Sequence, residues 1–64
     1  MTPTEAVHLL LASGQNETDI AKAVGTTQPT VNRIRRGAMT PSYPMGKALV
    51  DLAQALPEQP SEAA

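Results

Sequence analysis

The chain has 64 residues, with no cysteine and a single aromatic residue, Tyr43. A chain of this length is one small domain that buries only about 60% of its unfolded surface, and without cysteine neither a disulfide nor a Cys/His metal site can reinforce it. The core must come from Leu, Val, Ile, Ala and Met, which suits short packed helices and predicts an all-α domain.

The formal net charge of -1 conceals a sorted distribution. Every charged residue between Ile20 and Val50 is basic (Lys22, Arg33, Arg35, Arg36, Lys47), and the acids Glu5, Glu17, Asp19, Asp51, Glu58 and Glu62 lie outside that span. A basic middle between acidic ends leaves room for a polyanionic partner that the net charge alone argues against. No apolar run reaches the roughly 20 residues needed to cross a bilayer, and the N-terminus lacks the basic-then-apolar pattern of a signal peptide. A cytoplasmic protein with no membrane contact is expected.

Thr2-Pro3-Thr4-Glu5 carries the signals of a helix start: Thr2 as N-cap, Pro3 at the first helical position and Glu5 placed to complete a capping box. Ala6 with Leu10 and Val7 with Leu11, widened by Leu9, form an inward stripe that runs until Gly14. His8 has no second imidazole or cysteine to join it and is expected at the surface. Asn16 is a good N-cap for a second helix, with Glu17 and Asp19 in the first turn, where acids complement the helix dipole. Ile20, Ala21 and Val24 face the core, and Gly25 supplies the left-handed residue that stops the helix.

Thr27 is expected to cap a third helix over residues 28–36, and Pro29 fits its first turn, where an amide N–H has no partner to lose. Val31 and Ile34 make a narrow apolar stripe, whereas Gln28, Pro29, Asn32, Arg33 and Arg36 share the opposite face. The two prolines of Ala38 to Pro44 predict a loop. A last helix is expected from Pro44 or Met45 to about Leu56, its stripe of Met45, Leu49, Leu52, Ala53 and Leu56 closing over the first. Residues 57–64, Pro-Glu-Gln-Pro-Ser-Glu-Ala-Ala, have the composition of a disordered acidic tail. No segment alternates with period two. The expected architecture is a four- to five-helix bundle over 1–56 with a helix-turn-helix and no sheet.

The segment from Asn16 to Gly37, above all Ala-Lys-Ala-Val-Gly-Thr-Thr-Gln at 21–28, resembles the helix-turn-helix of lambdoid phage repressors and Cro proteins. That resemblance covers about a third of the chain closely. It implies docking of the second motif helix in the DNA major groove, with Gln28 pairing to an adenine and the first residues of the motif touching phosphates. Two positions depart from the family. Glu17 stands where those repressors commonly carry a glutamine that meets the DNA backbone; a carboxylate there repels phosphate unless it turns away, leaving Asn16 to make that contact alone. Pro29 replaces a polar base-reading residue, so an apolar contact with a thymine methyl, or none, is expected.

Gln28 and Arg33 are therefore expected to read an adenine and a guanine edge, with Asn32 and Pro29 as further base-reading positions. Asn16, Thr27, Thr30, Arg35, Arg36 and Lys47 are assigned to phosphates; Arg35 could instead lie along the first helix with its head in water. Such a small helix reads only a few base pairs, so a homodimer on a palindromic operator is expected. Met39, Tyr43 and Met45 are candidates for its interface, and equally for a roof over the monomer core. No nucleophile with a base, metal cluster or phosphate cradle is visible, so no enzyme activity, cofactor or small-molecule ligand is expected. The resulting expectation is a Cro-type repressor that excludes polymerase from an operator. An antitoxin-type autoregulator, a fragment of a larger repressor, and a module that binds polymerase or another regulator are the alternatives.

Overall fold

The computed structural model describes residues 1–56; the tail expected over 57–64 lies outside the described residues. Thr2 holds an extended backbone, and its hydroxyl accepts the Glu5 N–H at 3.1 Å while the Glu5 carboxylate accepts the Thr2 N–H at 2.9 Å. This reciprocal cap, with Pro3 at the first position, starts α1 (Pro3–Ala12) as its sequence requires. Asn16 starts α2 (Glu17–Val24) by accepting the Asp19 N–H at 2.8 Å, and Gly25, with φ of 79°, ends it. The left-handed conformation at Gly25 is one that a side chain would strain.

A three-residue turn leads into α3 (Gln28–Arg35). Thr27 has the expected extended backbone but makes no side-chain cap; its hydroxyl lies 3.0 Å from the hydroxyl of Thr30 instead. Competition from a second hydroxyl one turn away explains the difference. The helix ends at Arg35, one residue before the expected end, with Arg36 as its C-cap. The last helix, α4 (Tyr43–Gln54), begins a residue or two before the expected start and ends about two earlier. Pro44 does not mark the boundary, because the second position of a helix, like the first, has no N–H partner for proline to lose. There are four helices and no strand among the described residues.

Each helix contributes to one core. Ala6, Val7 and Leu10 from α1, Ile20 and Ala21 from α2, Val31 and Ile34 from α3, and Leu49 and Ala53 from α4 are buried. Burying one large aliphatic side chain contributes roughly 1.5–3 kcal/mol. The helix α1 packs against all three others, whereas α3 rests on α1 and α2 and does not meet α4. Gly46 permits the close approach of α4 to α1, since a Cβ there would stand 3.1 Å from the Pro3 ring.

Two side chains of α1 also grip the end of α3. The Thr4 hydroxyl donates to the carbonyl of Ile34 at 2.8 Å. His8, exposed as expected, lies with Nε2 3.0 Å from the carbonyl of Arg35. A carbonyl only accepts, so in this contact Nε2–H is the donor. Both carbonyls belong to the last turn of α3, where donors within the helix run out; that of Ile34 also accepts the Gly37 N–H at 3.0 Å.

These contacts rank in size. Leu10→Ala should cost about 3 kcal/mol, a core deletion in a domain of modest stability, and Thr4→Ala about 1 kcal/mol, one part-buried hydrogen bond. Urea unfolding followed by circular dichroism would measure both, and an equal or reversed cost would contradict this account of the core.

Candidate nucleic-acid interface

Burial of Val31 and Ile34 fixes the rotation of α3 and decides what faces out. Gln28, Pro29, Arg33 and Arg36 are exposed, and Thr30, Asn32 and Arg35 are half-buried. The outward surface thus carries amide and guanidinium groups beside a proline, with no acid from α3 itself.

The side chains are not independent. Glu17, in the first turn of α2, turns its carboxylate onto α3, where its side chain is only 17% exposed. It accepts a hydrogen bond from Gln28 Nε2, another from Asn32 Nδ2 at 3.2 Å and a third from Arg35 Nε at 2.7 Å. Residues 28, 32 and 35 fall at helical spacing i, i+4, i+7, which is why one carboxylate can meet all three. The Asn32 carbonyl oxygen in turn accepts from Arg36 Nε at 2.9 Å. The Arg35 hydrogen bond is the chief cause that holds the Glu17 carboxyl below the usual carboxylate range; partial burial opposes it, and Asn32, Gln28 and the Arg35 charge add to it. The acid is therefore turned away from solvent and paired, which removes the repulsion that its place in the sequence suggests.

Hydrogen-bonding capacity decides what each group still offers. An amide carries two N–H donors, so Gln28 keeps one N–H and its carbonyl oxygen after bonding Glu17. Arg33 is exposed and has no side-chain partner among the described residues. Asn16 spends its oxygen on the α2 cap and retains its amide nitrogen. Arg35 spends Nε on Glu17, so it lies across to α2 rather than along α1.

Lys47 stands apart from this face in an ion pair with Asp51 at 2.8 Å, exposed on both sides and therefore weak. Of the three residues considered for a dimer contact, Tyr43 is 77% exposed and Met39 is exposed, whereas Met45 packs against the core. Among the described residues no group of His, Cys, Asp or Glu could hold a metal ion, and no helix is long and apolar enough to cross a membrane.

The organising role of Glu17 escaped the sequence reading. A signal was available in the i, i+4, i+7 stripe of donors on α3 and the acid at the start of α2. No protein-family model, curated protein or solved structure matches the chain.

Because the folded state lowers the Glu17 carboxyl, the unfolded chain binds its proton more readily, and stability must rise with pH across that window. The contribution is present in full above the ordinary glutamate range and is lost as pH falls through the depressed folded value. Thermal melts across acidic pH should show the gap between the native protein and Glu17→Gln narrowing as pH falls. A gap that stays constant would contradict the three-donor clasp.

Proposed function

We propose that this protein binds double-stranded DNA sequence-specifically, placing α3 in the major groove as the second helix of a helix-turn-helix, and acts as a transcriptional repressor of Cro type. The observation that carries this reading is the outward face of α3. It offers Gln28, Arg33 and Arg36 from a helix whose inner side is locked by Val31 and Ile34. The resemblance of residues 21–28 to phage repressors supports it, as does the glycine turn at 25 that joins α2 to α3.

In this reading Gln28 presents its remaining N–H and its carbonyl oxygen to an adenine, which needs that donor and acceptor pair. Arg33, unengaged among the described residues, reads a guanine through its fork of donors. Pro29 touches a thymine methyl or makes no base contact. Arg36, the terminal nitrogens of Arg35, the Asn16 amide and the hydroxyls of Thr27 and Thr30 serve phosphates, which set register and make affinity salt-dependent. Lys47 joins them by exchanging Asp51 for phosphate. Two copies on a palindromic operator would double the few base pairs that one α3 can reach, with Met39 and Tyr43 as the exposed apolar candidates for their contact. Repression follows from occupancy of the operator.

Selection of bound duplexes from a random pool should return a palindromic site. On that site Gln28→Ala and Arg33→Ala should each lower discrimination against scrambled duplex by about 1–3 kcal/mol. Arg36→Ala should weaken selected and random duplexes alike and flatten the dependence of affinity on salt. Failure to enrich any site would reject the proposal. One protomer per duplex in sedimentation would reject the dimer alone.

A further inference from the structure

Asn32 stands between two charged groups. Its amide nitrogen donates to the Glu17 carboxylate at 3.2 Å, and its amide oxygen accepts from Arg36 Nε at 2.9 Å. A carboxylate only accepts and a guanidinium only donates, so the orientation of the amide is dictated from both sides. Turned over, it would set oxygen against oxygen on one side and N–H against N–H on the other. Reading an adenine requires the oxygen and nitrogen of an amide to face outward together. Asn32 is half-buried, and each of its two polar atoms already has a partner inside the fold. Arg36 is its complement: exposed, with Nε engaged and no partner among the described residues at its two terminal nitrogens.

We propose that Asn32 is a positioning residue and not a base reader, relaying the fixed position of Glu17 to Arg36 so that the guanidinium is held with its two terminal nitrogens outward, ready to grip one phosphate. The phosphate half of this proposal rests on the DNA-binding reading, whereas the relay is a property of the free protein. An arginine fixed at Nε before contact has already given up much of the rotamer freedom that gripping a phosphate would cost. The pair is one helical turn apart, a spacing at which side chains of one helix meet. Arg35 completes the arrangement by pairing with the Glu17 charge, so that the acid anchors the relay without repelling the ligand.

Two measurements test this, one without DNA. In the free protein, the Arg36 Nε–H should give a resolved, slowly exchanging nuclear magnetic resonance signal that Asn32→Ala abolishes. Glu17→Ala, which leaves the Asn32–Arg36 pair intact, should weaken the same signal and so provides a second handle should Asn32→Ala fold poorly. An Arg36 Nε–H signal indifferent to both substitutions would overturn the relay. With duplex DNA, Asn32→Ala should reduce affinity for selected and random sequences by the same factor, about three- to tenfold for an exposed charge-assisted contact. It should leave base preference unchanged, and the Asn32→Ala/Arg36→Ala double variant should bind no more weakly than Arg36→Ala alone. Relaxed preference at one base pair, or losses that multiply in the double variant, would make Asn32 a reader and overturn the proposal. Should the native protein select no duplex, the repressor reading fails, and the Arg36 signal still decides the relay.

Discussion

The fold depends on the burial of one face of α1. That helix supplies Ala6, Val7 and Leu10 to the core and packs against every other helix, most extensively against α4. Since α3 and α4 never meet, α1, with a smaller share from α2, is what relates them. The start of α1 is set at the first residues by the Thr2–Glu5 cap and Pro3, and the helical spacing of Ala6, Val7 and Leu10 puts them on one face.

Glu17 exerts a comparable control over the outward surface. Its carboxylate opens α2, where a negative charge suits the N-terminal end of the helix dipole, and also gathers three donors from α3. Since Arg35 offsets its charge, the basic character of this side is carried by Arg33 and Arg36. Long polar side chains on an isolated helix would sample many rotamers; here Gln28, Asn32 and Arg35 share one acceptor, and Arg36 follows Asn32. The proposed DNA contact thereby starts from an ordered surface.

Features that depend on neighbours in the chain were legible in the sequence. The caps at Thr2 and Asn16, the stop at Gly25, and the apolar stripes through Val7 and Leu10, Ile20 and Ala21, Val31 and Ile34, and Leu49 and Ala53 all express local stereochemistry or helical period, and they fixed the all-α fold. Thr27 misled because two hydroxyls within one turn can satisfy each other. The candidate site was legible in its membership but not in its wiring. Gln28, Asn32 and Arg35 meet an acid 11 to 18 residues earlier, a meeting that exists only once α2 and α3 have packed. The hold of Thr4 and His8 on the carbonyls of Ile34 and Arg35 spans 27 to 30 residues and is hidden for the same reason.

That hold gives α3 a mechanical character. Its first turn is tied to α2 through Gln28 and Glu17, and its last turn to α1 through Thr4 and His8. A rod pinned at both ends to different supports cannot roll about its own axis without loosening both pins at once. Torque applied to the outer side chains is therefore passed to α1 and α2 as a body, and the angular setting of Gln28 and Arg33 is stiffer than a helix of eight residues would have by itself.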